Sequence, residues 1–145
     1  MTKRLKPIVI DTSIIVKWLN KEKELHIEQA DRLFQDARGQ KIELFAPELA
    51  KYETGNAILY KGISLPESKQ SMVTLYTIPI KFVLWDEEVA LETMKIAHET
   101  KITYCDASFL ALAKKIKASL VTENPKHQKP TLRDINVIPL KDWKV

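Results

Sequence analysis

Acidic and hydroxyl residues stand where an alternating α/β fold collects its functional side chains. Asp11 directly follows the apolar run 7–10, and two hydroxyl residues, Thr12 and Ser13, come next. Consecutive β-branched residues favour a strand that is buried on both faces, and open α/β sheets bind ligands at the carboxyl ends of such strands. Asp11 is therefore a candidate site residue. The alternative is that Asp11 only caps the following helix.

Three further candidates stand near predicted helix starts or after a later strand. Glu53 falls in the second turn of a helix predicted to begin at Pro47, Asp106 falls in the first turn of another helix, and Asn124 follows a strand-like segment. Helices that connect parallel strands run antiparallel to them, so their N-termini gather at the carboxyl edge of the sheet. We therefore expect these side chains to converge with Asp11 on one rim. Taken singly, Asp106 also fits a first-turn acid and Glu53 a solvated helix residue.

Convergence of these acids has a chemical consequence. Carboxylates within a few ångströms of each other repel, which raises their pKa values unless a cation neutralises them. Hard oxygen ligands suit Mg²⁺ or Mn²⁺. The pattern predicts a divalent cation held by Asp11, Asp106 and Glu53.

Strand-like and helix-like segments alternate along the whole chain. The predicted strands are 7–10, 42–45, 80–84, 119–122 and 136–140. The predicted helices are 13–19, about 25 to Gly39, 48–60, 66–76, a helix from the Asp86 cap to about 100, and 104–117. In the helix 48–60, the face marked by Leu49, Tyr52, Asn56 and Leu59 is expected to pack inward. This alternation predicts a three-layer α/β/α sandwich with a mostly parallel, roughly five-stranded sheet.

Composition limits the class of protein. The chain has 145 residues, of which 45% are hydrophobic and 29% are charged, so we expect one globular domain over 1–145. A single cysteine, Cys105, excludes an internal disulfide and is expected to be a small core residue. With no signal-peptide or membrane-spanning pattern, a cytoplasmic location is expected. The formal net charge of +4 permits contact with a polyanion, although charge alone favours solvated helix faces as the explanation.

The ordered set of motifs resembles the PIN domain, and more narrowly the VapC-type toxins of prokaryotic toxin-antitoxin pairs. The segments that carry the resemblance are Ile10-Asp11-Thr12-Ser13, Ala46-Pro47-Glu48-Leu49, Glu53-Thr54-Gly55-Asn56-Ala57, Tyr104-Cys105-Asp106-Ala107-Ser108 and Leu120-Val121-Thr122. Each motif alone is short, but together they span nearly the whole chain in the family's order and spacing.

The resemblance implies a metal-dependent ribonuclease that binds Mg²⁺ or Mn²⁺ in an acidic pocket and cleaves single-stranded or loop regions of RNA. It also implies a homodimer and a small antitoxin whose C-terminal segment lies in the acidic groove. The residues that match the family's functional positions are the acids Asp11, Glu53 and Asp106, the pocket amide Asn56, and the hydroxyls Thr12 or Ser13.

The fourth acidic position departs from the family pattern. Family members usually carry Thr-x-Asp after the fourth strand, whereas this chain has Thr122-Glu123-Asn124. Asparagine keeps a ligand oxygen but loses the charge, so the pocket has three carboxylates unless Glu123 turns into it. Asp134 is a more remote substitute. We therefore expect one firmly held cation, a weaker second one and reduced activity.

The mechanism expected from this resemblance is hydrolysis of an RNA phosphodiester by water, assisted by a cation at Asp11 and Asp106. Glu53 is expected to hold the cation directly or through water. The residues predicted to contact the phosphate backbone are Lys17, Lys126 and Lys129.

Two alternatives remain open. The first alternative to a toxin ribonuclease is a non-catalytic PIN-like module that binds RNA or protein, and the second is a PIN nuclease that processes RNA without an antitoxin. Phosphoaspartyl chemistry is disfavoured, because Ser13 stands where such enzymes need a second aspartate. The histidines lack metal-site spacing, and His26 and His98 are expected to be surface residues.

Overall fold

A parallel sheet runs through the centre of the computed structural model, which describes residues 4–125 and 134–144. Its described strands are β1 (Lys6–Ile10), β2 (Ile42–Pro47), β3 (Ile80–Val83), β4 (Ser119–Thr122) and β5 (Val137–Pro139). Their order is β3-β2-β1-β4-β5, and each neighbouring pair is parallel. The sequence order reverses direction between β1 and β4, so the carboxyl ends of these two strands border the crevice where such sheets bind ligands.

Helices cover the sheet and confirm the predicted three-layer α/β architecture. The described α-helices are α1 (Thr12–Leu19), α2 (Ile27–Arg38), α3 (Leu49–Tyr60), α4 (Leu65–Leu75), α5 (Glu87–Thr100) and α6 (Tyr104–Ile116). A short 3-10 helix, Leu140–Asp142, follows β5. Among the described helices, none combines the length and the low charge that crossing a membrane requires.

Side-chain caps set several helix starts. Asp86 accepts a hydrogen bond from the backbone N–H of Val89 at 2.9 Å, which confirms the predicted cap of α5. Ser64 accepts one from the N–H of Glu67 at the start of α4. These caps satisfy backbone donors that have no partner within the helix.

Two local predictions are wrong. The second helix begins at Ile27 because Lys23 and His26 adopt left-handed backbone angles, with φ of 60° and 55°, and Leu25 in this turn is exposed. In α3, the predicted face is also wrong, since Tyr52 and Leu59 are exposed. The buried residues of α3, spaced four apart, are instead Ala50, Thr54 and Ile58.

The core is built around β1 and α6. Ile8, Val9 and Ile10 are fully buried, as expected for a strand covered on both faces. Residues Ala107 to Ala113 of α6 are all buried as well. The strand that leads to Asp11 and the helix that carries Asp106 are therefore held by the most enclosed part of the described chain.

We expect Leu44→Ala to lower the free energy of unfolding by about 2–5 kcal/mol, because Leu44 of β2 is 1% exposed and its truncation leaves a cavity. Urea denaturation measures the change. The matched control is Leu91→Ala on α5, which removes the same atoms from a side chain that is 66% exposed and should change stability by less than about 0.5 kcal/mol. Equal losses would contradict the described core.

Candidate active site

A pocket at the carboxyl edge of the sheet brings together most of the predicted site residues. Its volume is about 280 Å³, and it lies where β1 and β4 end and where α3 and α6 begin. The described residues that line it are Asp11, Thr12, Ser13, Glu53, Asp106, Phe109 and Asn124. Parallel strand order thus gathers residues that are up to 113 positions apart (124 − 11) in the sequence.

Asp11 is fixed by two hydroxyl groups. It is 6% exposed, and its carboxylate oxygens accept hydrogen bonds from Ser13 Oγ and Thr122 Oγ1. Its main-chain carbonyl accepts from Ile14 N at 3.1 Å where α1 begins. Asp11 therefore occupies the N-cap position, but its side chain makes no capping hydrogen bond within this described helix. A capping role therefore does not explain the contacts of the Asp11 carboxylate, which are made with Ser13 and Thr122 instead.

The same two hydroxyls hold the turn that follows β4. Ser13 Oγ accepts a hydrogen bond from Glu123 N at 3.1 Å, and Thr122 Oγ1 accepts one from Asn124 N at 3.0 Å. Each hydroxyl therefore donates to Asp11 and accepts from this turn. The sequence reasoning assigned Thr122 no role in the site. Strand periodicity could have found it, because residues 122 and 124 share a face and residue 123 does not.

Glu53 lies within the electrostatic reach of the other two acids. Thr12 Oγ1 donates to Glu53 Oε1 at 3.0 Å. Desolvation raises the pKa of Glu53 above its ordinary value, and the negative charges of Asp106 and Asp11 raise it further, against a hydrogen bond from Thr12. The pocket is therefore a place where negative charge is concentrated and only partly hydrated.

The oxygen donors of this pocket fit a hard divalent cation, although the side chains do not surround a single point. Among the described residues, no three His, Cys, Asp or Glu side chains are gathered closely enough to hold an ion as they stand. Asp11, Glu53 and Asp106 nevertheless border one pocket. Desolvation, and then the charges of Asp106 and Asp11, raise the pKa of Glu53, and a cation would relieve the repulsion. Carboxylate oxygens are the ligands that Mg²⁺ and Mn²⁺ prefer.

The predicted pocket amide and the two acids offered as substitutes for the fourth carboxylate do not line the described pocket. Asn56 is exposed one turn after Glu53, outside the described pocket lining. Glu123, the nearer candidate to replace the fourth acid, does not turn into the pocket, since its carboxylate pairs with Lys17 at 3.1 Å and His26 at 2.8 Å. Asp134 does not line the described pocket. Its charge adds to a rise in the pKa of Lys114 that comes first from the hydrogen bond of Lys114 to Glu92.

The expectations for the lysines and for the cysteine also change. Lys17 is 2% exposed and pairs with Glu24 as well as Glu123, so it is not placed to contact an RNA phosphate. Cys105 is exposed rather than a core residue. Desolvation raises the pKa of its thiol, and the charges of the neighbouring acids raise it further, so the thiol form is favoured. The other two lysines predicted to contact the phosphate backbone, Lys126 and Lys129, lie outside the described residues.

Comparison with known proteins supports one family. A family model described as PIN domain matches residues 8–131. Comparison with curated protein sequences finds no match. The fold is similar to solved structures of low sequence identity, which bear on the fold alone.

Three of these structures cover most of the chain. VapBC2 from Rickettsia felis, bound to a promoter DNA fragment, has a TM-score of 0.70 at 14% identity, covering 92% of this chain and 98% of that one. DNA-bound VapBC from Salmonella typhimurium has a TM-score of 0.67 at 17% identity, covering 94% and 99%. VapC20 from Mycobacterium tuberculosis, described as a sarcin-ricin loop cleaving toxin, has a TM-score of 0.62 at 12% identity, covering 80% and 87%.

The start of α6 gives a test of how Asp106 is presented. Thr103 caps α6 by accepting a hydrogen bond from Asp106 N at 3.1 Å. We expect Thr103→Ala to lower the free energy of unfolding by about 0.5–2 kcal/mol, since a backbone donor loses its partner. Thr103→Ser keeps the hydroxyl and should retain nearly all of that stability. Equal losses in urea denaturation for the two variants would show that the cap does not act.

Proposed function

The chain belongs to the PIN domain family, and we propose that it is a divalent-cation-dependent endoribonuclease that acts as the toxin of a toxin-antitoxin pair. The observation that carries the proposal is the shared pocket of Asp11, Glu53 and Asp106, which come from three separate parts of the chain. Members of this family are nucleases, so the pocket is a fitting place for phosphodiester hydrolysis.

The acids are proposed to hold Mg²⁺ or Mn²⁺. Asp11 and Asp106 would bind it directly, and Glu53 would bind it directly or through water. When bound, a divalent cation supplies Lewis-acid chemistry: it makes water a stronger nucleophile at neutral pH and offsets negative charge on the phosphate. Without such compensation, the carboxylates of the pocket would repel an RNA phosphate.

The other side chains of the pocket orient these acids and receive the substrate. Ser13 and Thr122 hold the Asp11 carboxylate in one orientation, and Thr12 does the same for Glu53. Asn124 is exposed at the rim, where its amide can donate a hydrogen bond to a phosphate oxygen. A carboxylate at this position would oppose the phosphate by its charge.

The substrate and partners are proposed by analogy with the similar structures. VapC20 is described as cleaving the sarcin-ricin loop, which supports an RNA substrate for this chain. The Rickettsia and Salmonella structures contain VapBC assemblies, which supports a small antitoxin as partner. The homodimer and the cytoplasmic location stay predictions.

We expect Asp11→Asn and Asp106→Asn each to reduce RNA cleavage in Mg²⁺ or Mn²⁺ by at least about 100-fold, because several kcal/mol of transition-state stabilisation depends on the cation. Cleavage of a single-stranded or stem-loop RNA measures the rate. The matched control is Asp31→Asn, which neutralises an exposed aspartate of α2 that pairs with Lys21. Equal cleavage by the wild type and both site variants would exclude this site.

Metal binding provides a second test, which does not depend on a chosen RNA. Mn²⁺ at about 100 times its dissociation constant should raise the free energy of unfolding by about 2.7 kcal/mol. The gain should be absent when Asp11 and Asp106 are both changed to Asn, each protein being compared with and without Mn²⁺. Calorimetry that detects RNA binding by the wild type but no Mn²⁺ binding would contradict the nuclease proposal and favour the non-catalytic module.

A further inference from the structure

A buried lysine lies behind the candidate active site. Lys17 of α1 is 2% exposed, and its Nζ lies 3.1 Å from Glu24 Oε1 and 3.1 Å from Glu123 Oε2. It also donates a hydrogen bond to the carbonyl oxygen of Leu25 at 2.8 Å. An ammonium group this deeply buried is costly unless it is fully partnered, so these contacts account for its placement.

Lys17 belongs to a wider set of ionic contacts. Glu123 Oε1 lies 2.8 Å from His26 Nδ1, and Glu24 Oε2 lies 2.9 Å from Lys61 Nζ. We call Lys17, Glu24, His26, Lys61 and Glu123 the Lys17 cluster. Its members come from α1, from the turn before α2, from the end of α3 and from the turn after β4. Its charges balance when the histidine is neutral.

Glu123 joins this cluster to the active-site carboxylate. Its side chain pairs with Lys17, while its backbone N–H donates to Ser13 Oγ at 3.1 Å. Ser13 Oγ donates in turn to Asp11. The next residue, Asn124, donates its backbone N–H to Thr122, whose hydroxyl also reaches Asp11. A shift of Glu123 would therefore disturb both hydroxyl contacts of Asp11 and the position of the Asn124 amide.

We propose that Lys17 is a positioning residue of the active site, which holds the Glu123 carboxylate away from the acidic pocket and thereby fixes the turn 122–124. Without the ammonium group, the carboxylate would lose a charged partner in a half-buried setting and move toward water. Movement toward the pocket would add a further negative charge beside Asp11. The role in catalysis rests on the proposed nuclease function, whereas the role in holding the turn does not.

The alternative is that the Lys17 cluster only ties α1 to the turn before α2. Glu24 separates the two explanations, because it contacts Lys17 and Lys61 and makes no hydrogen bond to the turn 122–124 or to the described residues that line the pocket. Loss of the Glu24 contact should weaken the cluster and leave the turn 122–124 in place.

The test compares full-length Lys17→Met, Glu24→Gln, Glu123→Gln and the double variant Lys17→Met/Glu123→Gln. We expect the backbone amide NMR signals of Glu123 and Asn124 to shift in Lys17→Met and to stay in place in Glu24→Gln. In RNA cleavage, Lys17→Met should lower kcat by roughly 10- to 100-fold, as loss of a partner that orients a metal ligand does, with KM little changed. The double variant should recover the kcat of Glu123→Gln, because it leaves no unpaired carboxylate at position 123.

Three results would overturn the proposal. The first is a Lys17→Met protein whose unfolding midpoint falls while the Glu123 and Asn124 signals and kcat stay unchanged. The second is an equal loss of kcat in Lys17→Met and Glu24→Gln, and the third is a double variant that recovers nothing. If Lys17→Met does not fold, Glu123→Ala and Glu24→Ala decide, since only the former should shift the backbone amide signal of Ser13, which contacts the turn 122–124 but is distant in sequence from both substitutions. If the wild type cleaves no RNA, the nuclease proposal fails, and the NMR signals still decide the role of Lys17.

Discussion

Repulsion among the carboxylates at one edge of the sheet is the constraint that determines how the surrounding side chains are arranged. Asp11 is almost completely buried, and the pKa of Glu53 is raised by desolvation and by the charges of the other acids. Hydroxyl groups replace the lost water: Thr12 serves Glu53, while Ser13 and Thr122 serve Asp11. Such hydrogen bonds stabilise the ionised form and fix its direction. They hold the acids in the pocket but leave the repulsion that a divalent cation would remove.

The topology of the sheet explains how a few strands and helices bring the pocket residues together. β1 and β4 are neighbours, so Asp11 and Asn124 leave their strands side by side, although 113 positions (124 − 11) separate them. The helices that follow β2 and α5 begin at the same edge and contribute Glu53 and Asp106. The enclosed core of β1 and α6 limits the movement of Asp11 and Asp106, so these two acids are attached to closely packed elements of the described chain.

Hydrophobic spacing and helix caps predicted most strands and helices of the fold, whereas individual side-chain contacts between residues distant in sequence were not predicted. The alternation of segments and the cap at Asp86 needed no knowledge of distant residues. Lys17, by contrast, is of a residue type that usually lies at the surface. Its burial depends on the carboxylates of Glu24 and Glu123, which are 7 and 106 positions away in the sequence. The start of α2 was misplaced because Lys23 and His26 take left-handed backbone conformations, which residues other than glycine uncommonly adopt and which helical spacing alone does not indicate. Polar convergence at the pocket was predictable from topology, whereas the pairing of Glu123 was not.

The turn after β4 directs the charged side chain of Glu123 away from the pocket and keeps the uncharged side chain of Asn124 at its rim. Along an extended chain successive side chains point to opposite sides, so Thr122 reaches Asp11 and Asn124 lines the pocket, while Glu123 reaches the Lys17 cluster. A carboxylate at position 124 would have added to the desolvation and repulsion that already raise the pKa of Glu53. The chain instead brings an uncharged amide to the rim and neutralises its nearby glutamate with a buried lysine. The pocket is thereby limited to three carboxylates, whose negative charge one divalent cation would largely offset. This is the physical reason to expect one firmly held cation and a weaker second one.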